Sequence, residues 1–530
     1  MKTDAAEILI DPWFSPEGAF LGSWFQYPAN DHLLASDLTN PDAIVISHEH
    51  LDHVDGWFLA RVGLSVPVFI PKYHSPALKA KITSGGDRPL IELDEWDERV
   101  VADGITVFFV SEESPMNHDS AMVIRSAGQA LVNMNDARLS PAQIRRIRTR
   151  LGGHVDGLAV QGAGASWYPI CYRYPKEHKQ ALSVKKRRAK LKYVSRVHDL
   201  LEPDVTIPFA GPPAFLDEDL RFANAEMDEG GIFPTQDQVA DWLAKQATDA
   251  NPLVLLPGDS FQLGDGEVHR DATWSGFTFA DRDSYLDSYA HRRRTEIAAV
   301  RARHPVPTTD LWDDFCAYFD RVLSMSSYFN ERIDMNVGFE ILGPGGGAWS
   351  VDFREGQQQL RRGTENCQYT YSFDSRWLPS ILDGSTPWED FFLSLRFEAW
   401  RVPDLYNDHL LGLLKFAWPD ALSAVEQWER DDQASDTIDI LLDGVTYRIE
   451  RYCPHGRQDL RETAEILPNG ILRCLGHHYE FDLATGGCVN GRSRPLESRV
   501  VSVGDRGQEM VTSESTDEQP EASNGPRASE

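Results

Sequence analysis

The stretch Ile44-Val45-Ile46-Ser47-His48-Glu49-His50-Leu51-Asp52-His53 constrains this chain more than any other. The apolar run Ala43 to Ile46 reads as a buried strand. It ends in three histidines and one aspartate within six positions, H-x-H-x-D-H. Side chains alternate along a strand with period two, so His48 and His50 leave it on the same side. The turn that follows can bring Asp52 and His53 back towards them. A lone histidine there would read as a hydrogen-bonded loop residue, but four nitrogen and oxygen donors at this spacing form a metal-binding set. Asp52 and His53, beyond the strand, are the candidate catalytic residues.

This motif resembles that of the metallo-β-lactamase superfamily. The resemblance implies an αββα sandwich in which His48 and His50 bind one metal and Asp52 and His53 a second. Further donors follow downstream. His118, in the polar turn Asn117-His118-Asp119-Ser120 at a strand edge, is expected to be a fourth histidine ligand. Asp136 follows the strand Ala130 to Met134, and a carboxylate with two oxygens can bridge two metals. Ser140-Pro141 reads as the cap of the next helix, which releases Asp136 from that role. The resemblance also implies a late ligand to the second metal; with no histidine between Gly211 and His269, Asp217, Glu218 and Asp219 are on offer and Asp217 is the candidate. Carboxylates in that position suit iron better than zinc, although zinc stays open as the alternative.

A net charge of −30 argues against nonspecific nucleic-acid binding. No run approaches the roughly 18–20 apolar residues of a membrane helix, and the start lacks signal-peptide features, so a cytoplasmic protein without membrane contact is expected. At 530 residues the chain exceeds one compact core. We expect a metal domain over 1–270, an α+β module over 271–425 that loosely resembles sterol-carrier domains, a β domain over 426–505 and a disordered tail over 506–530. The run Lys185-Lys186-Arg187-Arg188-Ala189-Lys190-Leu191-Lys192 is the one strongly basic segment. It reads either as the solvated face of a helix or as a docking surface for an anionic substrate or acidic redox partner.

Six cysteines are too few for a disulfide framework, and three of them, Cys453, Cys474 and Cys488, fall late in the chain. Cys453-Pro454-His455 and Cys474-Leu475-Gly476-His477 give C-x-H followed by C-x2-H. Two cysteines and two histidines also make a zinc set, but these separations resemble the Rieske family. There Cys453 and Cys474 would hold one iron of a [2Fe–2S] cluster and His455 and His477 the other.

The segments Ile10 to Trp13, His48 to His53, His118, Leu131 to Asp136, the basic run and Pro208 to Gly211 resemble, in that order, CMP-N-acetylneuraminate hydroxylases. That likeness spans about residues 8 to 265 and implies an O2-dependent non-haem iron monooxygenase fed by a Rieske cluster. Here the Rieske segment follows the metal domain rather than preceding it, so the substrate of that family is not carried over. One or two irons, a small amine, sugar or nucleotide-type substrate, O2 and an external donor such as a ferredoxin or NAD(P)H-dependent reductase are implied. Two other readings stay open: a metal-dependent hydrolase with a structural or sensory cluster, and a non-catalytic electron-transfer protein.

Overall fold

Two sheets face one another in the first half of the chain. The computed structural model describes residues 1–36, 38–164, 166–246, 249–431, 436–455, 458–476 and 478–503. The expected cluster ligand His477 and the expected tail over 506–530 lie outside the described residues. Strands Ile8–Ile10, Ala43–Val45, Val68–Pro71 and Leu90–Leu93 form a parallel sheet in that order. A mixed sheet runs Pro203–Phe209, Val155–Gln161, Gln129–Asn133, Ser120–Ser126, Ile105–Ser111, Arg99–Ala102.

The two-residue strand period divides these residues between two cores. Val107, Phe109, Met122 and Ile124 meet Ile8, Val45 and Phe69 between the sheets. Phe108, Val110, Ala121 and Val123 face the other way, against helices Pro141–Arg150, Lys176–Leu201 and Gln236–Gln246. Helices Gly56–Leu59 and Ala77–Thr83 cover the parallel sheet through Phe58, Leu59, Leu78 and Ile82. The layers are helix, sheet, sheet, helix, as expected. Ser140 caps its helix as expected, in a reciprocal exchange with Gln143 and with Pro141 in the first turn.

The middle module is built on a second mixed sheet, ordered Leu360–Arg362, Gly347–Asp352, Asn336–Leu342, Tyr369–Asp374, Glu398–Arg401. Its core reaches well outside residues 271–425. Phe20, Trp24, Phe25, Tyr172, Phe215 and Phe233 belong to the same buried cluster as Trp349, Tyr371, Trp388 and Phe392. Tyr172 even bridges to the edge strand at Ala399. Two helices matter below: Trp388–Leu393, and Asp408–Phe416, whose N-cap is Asn407.

Beyond these, strands Thr437–Leu442, Val445–Glu450 and Ser498–Val503 form one antiparallel sheet. The hairpin turns at Asp443 and Gly444, whose φ angles of 50° and 80° are those a type I′ turn requires. Ala464–Leu467, Ile471–Cys474 and Glu480–Asp482 form another. The pair Tyr406–Asn407 and Gly491–Arg492 ties this domain to the middle module.

The basic run lies on the helix Lys176–Leu201, and neither simple expectation describes it. Arg187 and Lys190 are buried, and Lys190 donates to the Gly164 carbonyl at 3.0 Å. Lys185 and Lys192 point outward and meet Glu480 at 3.0 Å and Glu465 at 3.7 Å. The acidic surface that this helix docks therefore belongs to the C-terminal domain of the same chain. Among the described residues no helix is long and apolar enough to cross a membrane.

Candidate metal centres

Each histidine of the motif has one ring nitrogen claimed by an outer group. Asp11 ends the first strand with φ 42° and receives hydrogen bonds from the Ser47 amide at 2.8 Å and the Ser47 hydroxyl at 2.7 Å. It also accepts from His53 Nδ1 at 3.0 Å. Ser47 Oγ in turn lies 2.8 Å from His48 Nδ1. His50 Nε2 lies 3.2 Å from Glu389 Oε1, on the helix Trp388–Leu393 of the middle module. A histidine whose outer nitrogen is tied this way offers the other nitrogen, deprotonated and aimed, to a metal.

The remaining nitrogens converge. His48 Nε2 and His50 Nδ1 are 2.8 Å apart, close to the ~3.3 Å between two tetrahedral nitrogen ligands of one metal. Asp119 Oδ1 lies 3.6 Å from His48 Nε2, is buried, and accepts no hydrogen bond among the described residues. A buried, unsatisfied carboxylate oxygen facing histidine nitrogens is what a metal site would leave when drawn without its ion. His53 Nε2 lies 3.4 Å from Asp136 Oδ1 and 3.8 Å from Asp52 Oδ2. Two ligand groups result, His48–His50–Asp119 and His48–His53–Asp136, sharing His48. Three imidazoles and two carboxylates, with Asp52 close to His53, fit a pair of first-row metals.

The charges follow the carboxylates around each ring. Burial, with His53 and His50 close by, pushes His48 well below the usual histidine range, so it is neutral. Burial also raises the Asp119 carboxyl, opposed by His50. Burial acts against charge on His50 as well, but Glu389 outweighs it and pushes the imidazole up to about 9. Burial opposes ionisation of Glu389, yet Lys415 and His50 hold it well below the usual carboxylate range. Lys415 Nζ lies 2.8 Å from Glu389. Beside it, Lys81 pairs with Asp390 at 3.0 Å. The middle module therefore supplies groups to the metal site instead of standing apart from it.

Three expected ligands, Asp217, His118 and Asp52, fall outside those two groups. Asp217 is not at the site. Its carboxylate is held by Arg396 at 2.8 Å and Arg301 at 2.9 Å, two guanidinium groups that satisfy it within the protein. His118 is in neither ligand group: its Nδ1 donates to Glu49 Oε1 at 3.0 Å, and its ring lies between Tyr73 and Phe416. The neighbouring Asp119 takes the place expected of it. Sequence reasoning passed over Asp119, Asp11 and Glu389 as ligand or outer-shell groups. Asp119 had a signal, a second donor in the same turn. Glu389 had none, being 339 residues from His50.

The second candidate centre is built from two matching loops. The Cys453 amide donates to the Gln458 carbonyl and the Cys474 amide to the Tyr479 carbonyl, both at 2.9 Å. Each cysteine amide is thus tied to the carbonyl five residues on. Both thiols are fully buried in the domain core, with no disulfide among the described cysteines. His455 stands on the first loop, stacked on Tyr479 with centroids 4.2 Å apart. Its Nε2 meets Asp408, which leaves coordination to Nδ1. Burial lowers the His455 pKa but Asp408 raises it further, and Cys474 is near enough to add to that rise. Two buried thiols and an imidazole with a fixed outer nitrogen fit mixed Cys/His ligation of a [2Fe–2S] cluster. Cys488, partly buried, lies 3.8 Å from Asn490 Oδ1 and is no part of that arrangement.

Residues 6–171 match the beta-lactamase superfamily domain, and residues 311–431 match the Rv3818-like, SCP2-like domain. A Mycolicibacterium smegmatis protein provisionally named a Rieske 2Fe-2S iron-sulfur protein is 27% identical over 94% of this chain and 97% of its own length. Rv3818 of Mycobacterium tuberculosis, with the same provisional name, is 28% identical over 94% and 97%. Among solved structures, CmlA, a diiron β-hydroxylase from Streptomyces venezuelae, is 18% identical over 47% of this chain and 49% of its own, with a TM-score of 0.30. An isothiocyanate hydrolase from Delia radicum gut bacteria is 14% identical over 51% and 95%, with a TM-score of 0.32. The layered sheets and the family match together give the N-terminal domain the metallo-β-lactamase fold, in a multidomain chain of α/β and β sheets.

Proposed function

We propose that the chain is an O2-dependent non-haem iron monooxygenase that hydroxylates or N-oxygenates a small molecule. The observation that carries the reading is the presence, in one chain, of a His/Asp metal set and of paired Cys loops suited to a Rieske cluster. Hydrolysis moves no electrons and gives such a cluster nothing to do. When bound, iron at the first site would supply O2 activation and the [2Fe–2S] centre would supply single electrons drawn from an external ferredoxin or reductase.

The residues of the chain do the rest. Asp11 and Ser47 fix the rings of His53 and His48. Glu389 holds the proton of His50 at Nε2. Phe20 packs against the His50 ring at 6.3 Å. A substrate of amine, sugar or nucleotide type is the expected class.

Metal and acid-labile sulfide analysis of anaerobically purified protein, with EPR after dithionite, tests this. Iron beyond that of the cluster, together with a mixed Cys/His cluster signal, is the expected result. Zinc persisting at the His/Asp site under iron-replete expression would favour the hydrolase. Absence of sulfide would sink the cluster and the oxygenase together.

A further inference from the structure

Three cations gather beside the first metal set. Arg138 follows the ligand candidate Asp136 by two residues. Lys186 and Lys190 stand one turn apart on the inward face of the helix Lys176–Leu201. Arg138 and Lys190 converge on Gly164, whose φ is 59°. A Cβ added there would lie 3.5 Å from Arg138 Nη2, 3.7 Å from Lys190 Cε and 3.1 Å from Gln161 Oε1. Gln161 donates to Asp136 Oδ1, which ties this cluster to the metal set. The groups that support the three charges are neutral. Lys186 donates to Ser166 Oγ at 3.1 Å and to the Tyr168 carbonyl at 3.3 Å. Lys190 donates to the carbonyls of Gly164 at 3.0 Å and Ile232 at 3.5 Å, and Arg138 lies over the Tyr193 ring at 4.7 Å.

Among the described residues no carboxylate forms an ion pair with any of the three. Glu226, the acid that acts most on Lys190, accepts instead from the Ile232 amide at 2.9 Å. Glu112 accepts from the backbone amide of Arg138 at 2.6 Å. Counter-charge is not scarce in a chain with 82 acidic residues against 52 lysines and arginines. Buried ions are ordinarily paired, because desolvation penalises a lone charge. Burial, with Lys186 and Arg138 close by, pulls Lys190 well below the usual lysine range. An arriving anion would relieve that repulsion.

We infer that Arg138, Lys186 and Lys190 form an oxyanion subsite that holds a carboxylate or phosphate group of the substrate beside Asp136. As a statement about substrate this rests on the oxygenase reading; as a statement about anion binding it does not. The guanidinium offers paired N–H donors to two oxygens, and the two ammonium groups add point charge. The substrate class narrows to molecules that carry an acidic group, such as an amino acid, a sugar acid or a nucleotide. The basic run then has two uses: Lys185 and Lys192 reach outward to the C-terminal domain, and Lys186 and Lys190 face the subsite.

The test titrates the full metal-loaded chain calorimetrically, at constant ionic strength, with inorganic phosphate and with succinate. Saturable binding of at least one probe is expected. Phosphate alone would mark a phosphoryl-bearing substrate, and succinate alone a carboxylate-bearing one. Arg138→Gln and Lys186→Gln are each expected to weaken binding about tenfold or more. Lys185→Gln, on the outward face of the same helix, is expected to leave it unchanged. Thermal melting and metal content check that each variant is folded and loaded. Wild-type affinity in both Arg138→Gln and Lys186→Gln would place the anion on the metals and overturn the subsite, as would no saturable binding of either probe. The expected pattern in protein that carries zinc and no sulfide would keep the subsite and sink the oxygenase reading. Iron and sulfide in protein that binds neither probe would do the reverse.

Discussion

Asp119 and His118 stand side by side, and only one of them faces the metal set. The sequence favours the histidine because imidazole is the commoner ligand at a strand edge. Asp119 is the one that falls in a ligand group with His48 and His50, while His118 Nδ1 pairs with Glu49, between the two motif histidines. That pairing joins residues 69 positions apart and has no local signature. Asp119→Ala is therefore expected to lose metal from the first domain, and His118→Ala to keep it while costing about 1–3 kcal/mol of stability. Metal per chain, with cluster iron subtracted through sulfide, separates the two. Glu389→Gln should weaken metal retention about 10- to 100-fold, since the partner of a ligating histidine sets its orientation. Competition with a chelator measures it. By contrast the structure brings His48, His50, His53 and Asp136 together at the strand ends where the sequence puts them, with Asp52 3.8 Å from His53 Nε2 and in neither group.

Lys186 makes a pH prediction at the same scale. Burial, helped slightly by Arg138, pulls its ammonium down to about 8, although it donates to Ser166 Oγ at 3.1 Å. An unfolded lysine titrates near about 10.4. Between those values the unfolded chain binds more protons than the folded one, so this residue makes unfolding harder as pH rises from about 8 to about 10.4. Lys186→Met removes that term. Its stability relative to wild type should be higher at about pH 7.5 than at about pH 9.5, read from urea midpoints. Equal differences at both pH values would mean that the lysine is already solvated.

At the scale of elements, strands and turns were read well and helix faces less well. The Asp443-Gly444 hairpin and the capped helix at Ser140 are set by local chemistry, a left-handed turn and a reciprocal cap, and the cap appears where expected. The basic helix was harder. A charge run has the same appearance whether its lysines are solvated, buried against carbonyl groups or paired across a domain boundary. This helix does the last two at once. Its outward contacts, Lys185–Glu480 and Lys192–Glu465, join Arg145–Glu462 at 2.7 Å in holding the C-terminal domain. Exposed pairs of this kind contribute about 0.2–1 kcal/mol each and are screened by salt. Lys185→Glu turns one attraction into a repulsion. It should speed hydrogen exchange in strand Glu480–Asp482 about fivefold, with the parallel sheet of the first domain unaffected. High salt should move the wild-type protein in the same direction.

At the scale of the whole molecule, the order of the segments was legible and their independence was not. Sequence motifs divide the chain near residue 270, yet the buried cluster of the middle module takes in Phe20, Trp24, Phe25, Tyr172, Phe215 and Phe233 from before that point. A composition or motif shift marks where one signature ends. It does not mark where the apolar surface is shared. Fragment 1–270 would uncover the faces of those six aromatic side chains that meet the middle module and lose Glu389 from beside His50. At about 1.5–3 kcal/mol for each buried side chain, the loss is on the order of 10 kcal/mol, comparable to the whole stability of a domain. The fragment should therefore aggregate or bind a hydrophobic dye, and hold metal poorly. Fragment 1–431, which keeps the middle module, should fold and retain metal in the first domain without any cluster. A soluble fragment 1–270 with full metal content would show that the middle module is an addition to the metal centre and not a part of it.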